Sequence, residues 1–339
     1  MKNTLHSIQL LRFIAAYLVV MMHSSQAIAI RMNHTPDDFW KFGTFGVDIF
    51  FIISGFVMET ISKDKVIGFK QRLLFSINFL KRRLIRIAPL YWIYTTLKIL
   101  VLATLPFLAA RTTFDLFHIF SSYLFIPTLA PWGLMEPFLP VGWTLNFEMF
   151  FYLIFAISLL VSVNRIFIAL FFFVLISVMA HMANNQLLTF YSQDIIFEFL
   201  VGMTIAQCYK RKWLVESRYL AVGILAITLS YLIFCYHFEL NFVRFLRLGI
   251  PAGLLVYSLL CLEPLIKNNP TLLKISAYGD TSYTTYLLHT FIVPSVPLLL
   301  LYFGITSNFL AFVSCLALTF IMSYTGYYYF EKQLINRLN

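Results

Sequence analysis

Charge is what this chain has least of. Asp, Glu, Lys and Arg together make up 12% of its 339 residues, against about a quarter in an ordinary soluble domain. So large a deficit excludes a solvated globular domain. The few charges are also unbalanced, with 25 basic residues against 15 acidic. In a chain this apolar, that surplus bears on orientation in a membrane rather than on nucleic-acid binding. Cysteine is scarce too. Cys208, Cys235, Cys261 and Cys315 lie in or at the ends of apolar runs, with neither metal-ligand spacing nor a disulfide framework, and read as packing residues. There is no low-complexity linker, no appended soluble domain and no visible inverted repeat. The last of these absences counts against a transporter.

What the chain has in quantity is apolar and aromatic surface: 60% hydrophobic residues, 18% aromatic, 37 of them Phe. Length and apolarity pick out about ten spans, at 7–30, 43–61, 89–110, 142–162, 165–183, 193–209, 217–237, 245–262, 281–302 and 308–330. The first follows Lys2 and ends near Ala27-Ile28-Ala29. It is too long for a secretory signal and holds Arg12 in its first turns, so it reads as a retained span. With the N terminus inside, eighteen Lys and Arg fall on the inner side, including eight in 62–88, and five on the outer side (Arg31, Lys41, Arg111, Arg244, Arg247). The positive-inside rule then makes both termini cytoplasmic. The expected fold is all-α, a polytopic integral membrane helical bundle forming one domain over 1–339. It has a basic cytoplasmic loop at 62–88 and an extracytoplasmic loop at 111–141. The outer loop carries an amphipathic stretch, Phe114 to Phe125, then Pro127, Pro131, Pro137 and Pro140.

Against this background the polar residues inside the spans stand out. Arg12 and His23 are eleven residues apart on one run, close to three turns. They share a helix face, roughly 16 Å apart along the axis. A charged or titratable group in a span is costly and marks a functional path by default. Counted from the span ends, His23, Asp48, Glu148 and Glu198 share the outer third of the bilayer, with Arg12 near the inner end and His289 near mid-depth. Each alone is explained by helix-to-helix hydrogen bonding; their common depth favours one polar cavity. A carboxylate bonded to a histidine raises its basicity and fixes its tautomer, as a general base requires. The basic run Lys81-Arg82-Arg83-Leu84-Ile85-Arg86 is explained by anchoring on anionic lipid, or by a phosphate-binding mouth at the cytoplasmic face. Gly43, Gly46 and Gly55 suit close helix approach, and the same packing explains Ser54.

Five stretches in order resemble the acyltransferase-3 family of membrane sugar O-acyltransferases. They are Ile8 to Ala16 with Arg12 and His23; Gly46 to Phe56 with Asp48 and Ser54; Arg82, Arg83 and Arg86 before Pro89-Leu90-Tyr91-Trp92; Trp143-Thr144-Leu145-Asn146-Phe147-Glu148; and Ser282 to His289 with Tyr283. The stretch around Trp143 is most similar to the exopolysaccharide, succinoglycan-type acetyltransferase branch. The chain departs from the family in having Phe13 after Arg12 and in carrying no C-terminal hydrolase-like domain. The resemblance implies an enzyme of the bacterial cytoplasmic (inner) membrane. It would move an acetyl group from cytoplasmic acetyl-CoA, without a metal, to a hydroxyl of a lipid-linked or exported polysaccharide. It leaves room for an oligomer or for polysaccharide-assembly partners, and gives no role to nucleic acid. Within it, His23 is the general base, with a covalent acyl-histidine as the variant route. Asp48 or Glu148 orients His23 or the acceptor. Arg12, Arg82, Arg83 and Arg86 hold the donor, and Trp143, Tyr283, His289 and Ser54 serve substrate or structure. The competing class is a proton-coupled transporter or flippase for a glycan or anionic solute, with His23, Asp48 and Glu148 as relay.

Overall fold

The computed structural model describes residues 4–33, 38–62, 68–105, 114–161, 163–238, 240 and 242–338. Lys2, Lys63, Lys65 and Arg111, which entered the charge count, lie outside them. Over its described residues each of the ten expected spans falls largely on helix; 106–110 of the third and 162 of the fourth lie outside them. The helices of the first half are α1 (His6–Arg31), α2 (Phe45–Ile61), α3 (Phe69–Thr104), the short α4 (Leu116–Tyr123), α5 (Trp143–Ser158), α6 (Arg165–Ala183) and α7 (Gln186–Tyr191). There follow α8 (Glu198–Lys210), α9 (Arg218–His237), α10 (Ile250–Cys261), α11 (Glu263–Asn268), α12 (Pro270–Ala277), α13 (Ser282–Tyr302), α14 (Asn308–Gly326) and α15 (Lys332–Leu338). Among the described residues, eight helical stretches are long and apolar enough to cross a membrane. The segments expected at 193–209 and 245–262 form the shorter α8 and α10, of 13 and 12 residues. A π turn, Phe245–Gly249, leads into α10.

One expected loop is helix. Phe69 opens a helix of 36 residues that runs through the basic segment and Pro89 to Thr104. At 1.5 Å per residue it is about 54 Å long. The basic stretch is built of Lys, Arg, Leu, Ile and Phe, none of which breaks a helix. Pro89 removes one hydrogen bond without ending the rod. Ser76, Phe79, Ile87, Leu90, Tyr91 and Tyr94 are buried, so one face packs on the bundle while most of the cations ride on the other sides. Just past Pro89, α4 and the residues after it fold back against α3. Trp92 Nε1 donates to the Tyr123 carbonyl at 2.8 Å, and the Phe125 ring lies 4.8 Å from that of Tyr91.

The centre is held by close backbone contact. A Cβ on Gly55 would stand 2.1 Å from the Phe199 carbonyl oxygen, and one on Gly202 would stand 2.0 Å from that of Ile52. Only hydrogen fits, so α2 and α8 touch main chain to main chain. Gly43 and Gly46 meet the Leu18 and Ala15 carbonyls of α1 in the same way, as small residues do at membrane helix interfaces. Phe51, Phe151 and Phe199 stack across this seam at 4.7 and 4.2 Å. The start of α1 is tied to the far end of the chain, where the Glu263 carboxylate accepts the backbone N–H of His6 and of Ser7 at 2.8 and 2.7 Å. A carboxylate there satisfies two of the N–H groups a helix start leaves unpaired and meets its positive dipole end.

Candidate active site

A cavity of about 410 Å³ opens between α1, α2, α3, α5 and α13, within the usual range for small-molecule sites. Three of its lining residues are arginines. Arg12 comes from α1, and Arg83 and Arg86 from the α3 face that also buries Ile87. The remaining wall is largely apolar, and Glu148 is its one carboxylate among the described residues. The Arg12 guanidinium donates to Gln9 Oε1 at 2.8 Å, and Gln9 in turn donates to Asp280. Arg86 lies 3.2 Å from the buried Glu331, which also accepts from Thr284. Glu148 accepts from Ser54 Oγ at 3.0 Å and from Tyr152. Tyr283 also lines the cavity and donates to the Ile87 carbonyl at 2.8 Å. Cations fixed in a mostly apolar hollow suit a ligand with an anionic head and an uncharged arm. Among the described residues, no group of three His, Cys, Asp or Glu is placed to hold a metal ion.

The far wall of the cavity carries Tyr286. Its hydroxyl donates to the Val141 carbonyl at 2.9 Å and bonds Thr144 at 2.8 Å. Its ring lies 5.9 Å from that of His289. His289 in turn meets His23, with Nε2 2.9 Å from His23 Nδ1 and the rings 18° from parallel. This geometry fixes both tautomers of the neutral rings. His289 Nδ1 lies 3.1 Å from the Thr285 carbonyl, and a carbonyl only accepts, so Nδ1 carries the hydrogen. Nε2 of His289 is then an acceptor, His23 Nδ1 donates to it, and His23 Nε2 is left with its lone pair. A basic nitrogen thus stands behind the Tyr286 wall of a cation-lined cavity.

Several sequence expectations come together here. Arg12, Arg83, Arg86, Glu148, Ser54 and Tyr283 share the cavity, and His23 and His289 share a bond. Others are corrected. The partner of His23 is His289, not a carboxylate. Asp48 belongs to a separate cluster. Its Oδ2 accepts from Arg244 at 2.8 Å, and Glu198 lies against it. Span-end counting fixes depth but not azimuth. Asp48 and Ser54 are six residues apart on α2, about 120° around the helix, so they face different neighbours. Arg82 is exposed and does not line the cavity. Trp143 packs on the Phe147 ring at 5.9 Å and is likewise off the wall. Ser54, expected as packing, presents its hydroxyl to Glu148. The sequence reading passed over Gln9, Tyr152, Asp280 and Tyr286 as site residues. For Tyr286 the signal was its spacing three residues before His289, which puts both on one face of α13.

Fold and cavity define a multi-pass membrane protein with an arginine-lined hollow among its helices. Comparison with known proteins sharpens this. The acyltransferase domain family matches residues 5–328. The exopolysaccharide production protein ExoZ of Rhizobium meliloti (strain 1021) is 32% identical over 304 residues, covering 87% of this chain and 90% of that protein. No solved structure matches the chain. The chain belongs to the acyltransferase-3 family and is an acyltransferase. Membership decides for the enzyme over the transporter.

Proposed function

We propose that the protein is an O-acetyltransferase of the bacterial cytoplasmic (inner) membrane. It moves an acetyl group from acetyl-CoA, entering on the basic, cytoplasmic face, to a sugar hydroxyl of a lipid-linked or cell-surface polysaccharide. The similarity to an exopolysaccharide production protein supports that acceptor class. The observation that carries the mechanism is the cation-lined cavity with a histidine pair behind its far wall.

In this reading Arg83, Arg86 and Arg12 hold the anionic head of the donor at the mouth, and the apolar wall takes the uncharged arm. Glu148 positions Ser54 and Tyr152 along that wall. His23 Nε2 accepts the proton of the acceptor hydroxyl as its oxygen bonds to the thioester carbon. The carbon–sulfur bond then breaks, and the leaving thiolate takes the proton back from His23. His289 keeps the Nδ1–H of His23 engaged and so keeps Nε2 free to receive. Asp48, paired to Arg244, positions the outer end of α2.

The test is transfer of radiolabelled acetyl from acetyl-CoA into the glycan fraction of membranes, for wild type and His23→Ala at matched expression. Label in wild type alone is the expected result. Equal label in both would leave an acyltransferase and remove His23 as its base. If neither carries label from acetyl-CoA but both do from succinyl-CoA, the acetyl donor is overturned along with the need for His23.

A further inference from the structure

A second charged hollow, of about 370 Å³, lies outside this cavity, where the end of α2, the start of α6 and the end of α8 meet on the basic side. Among the described residues its charged lining is Arg165, Lys210 and Arg211 with the carboxylate of Glu59. Glu59 is 1% exposed, and Arg165 grips it with Nε and a terminal nitrogen, each at 2.7 Å. Lys210 Nζ is 3.7 Å from the same carboxylate and donates to the Ser62 carbonyl at 3.1 Å. The bidentate pair ties α2 to α6, and the described lining carries three cations and one carboxylate. Asn164 and Gln207 form its neutral polar floor, with Gln207 donating to Asn164 at 2.9 Å.

Further along α8 lies an apolar groove of about 290 Å³, lined by Phe197, Leu200, Val201, Thr204, Ile205 and Phe245. Phe197, Leu200, Thr204, Gln207 and Arg211 recur every three or four residues, so hollow and groove lie on one stripe of α8. From Arg211 to Phe197 that stripe runs about 21 Å, enough to cross the ~15 Å of hydrocarbon in one leaflet. A soluble anion would use the basic end and leave the groove unfilled. A charged head continuous with an apolar tail uses both.

We propose that hollow and groove form a binding site for an anionic phospholipid of the leaflet on the basic side. Its phosphodiester sits on Lys210 and Arg211, and one acyl chain runs along Thr204 and Leu200 to Phe197. Bound there, the lipid holds α6 against α8 on the side of the bundle away from the catalytic cavity.

The test is a native mass spectrometry titration of the full chain, released from micelles, with phosphatidylglycerol and with phosphatidylcholine of the same acyl chains. Wild type retains phosphatidylglycerol preferentially. Combined Lys210→Gln and Arg211→Gln lower its affinity about twentyfold and leave phosphatidylcholine unchanged. Thr204→Trp, which fills the groove without altering charge, also weakens the phospholipid but not the water-soluble headgroup glycerophosphoglycerol. Combined Lys267→Gln and Lys274→Gln, which remove two exposed cations elsewhere, change nothing. Equal weakening by this last pair would overturn the site in favour of a general basic surface. If glycerophosphoglycerol competes as well as the intact lipid and Thr204→Trp is silent, the site binds a soluble anion and the lipid is ruled out. Should the charge variant fail to fold by size exclusion, Thr204→Trp decides alone.

Discussion

The hydrogen positions of two imidazoles hang on one backbone carbonyl, that of Thr285. That dependence makes His289 separable from His23 by experiment. His289→Leu removes the acceptor for His23 Nδ1–H, frees the ring to flip or change tautomer, and is expected to lower kcat about 10²- to 10⁴-fold with little change in the donor KM. His289→Gln offers an amide oxygen in place of Nε2 and should recover a measurable part of the rate. Equal loss in both would mean that the ring is needed for its shape alone. The arginines divide in the same way. Arg83 and Arg86 line the cavity and Arg82 is exposed. Combined Arg83→Ala and Arg86→Ala are therefore expected to raise the KM for acetyl-CoA about tenfold or more, while Arg82→Ala stays within about twofold, as a screened surface charge should. Residue types carry this much of the proposed site in the sequence: cations for an anionic donor, a histidine for a base. The pairing of His23 with His289 is not readable there, because sequence spacing along one helix says nothing about which neighbour its polar face meets.

At the scale of elements, the seam of α2 and α8 is where the bundle has least room. Ala at Gly55 or Gly202 would press a methyl group onto a carbonyl oxygen at 2.1 or 2.0 Å, which no side-chain rotation relieves. Each is expected to destabilise by about 1–3 kcal/mol or more, seen as a lower melting temperature in detergent. Gly223→Ala, with nothing within 4 Å, should leave stability level or raise it slightly through helix propensity. The glycine spacing on α2 was readable as a packing signal. That the partner would be α8, through Gly202, was not, because a glycine marks close approach without naming what approaches. The basic half of α3 shows the opposite failure. Charge density suggested a loop, yet the buried positions Ser76, Phe79, Ile87 and Leu90 follow the helical period, and periodicity was the better guide.

For the whole molecule, the helical ranges follow from apolarity so closely because a bilayer leaves the backbone few alternatives to helix. Sidedness rests on the asymmetry of Lys and Arg alone. It is checked by placing single cysteines in a background lacking the four native ones. Lys274→Cys and Lys332→Cys should react with an impermeant maleimide only after the cells are opened, and Lys41→Cys before. The reverse pattern would invert the donor's side of entry. The ties between the two ends of the chain also carry a consequence for biosynthesis. Glu263 holds the start of α1, Asp280 holds Gln9, and His289 holds His23, across separations of 257, 271 and 266 residues. At ~5–20 residues per second, the first helix waits roughly 13–54 s after its own synthesis for these partners. Until then Arg12 has only Gln9, on its own helix, and His23 lacks His289, so a chain halted before residue 289 holds an imidazole with no tautomer assigned to it.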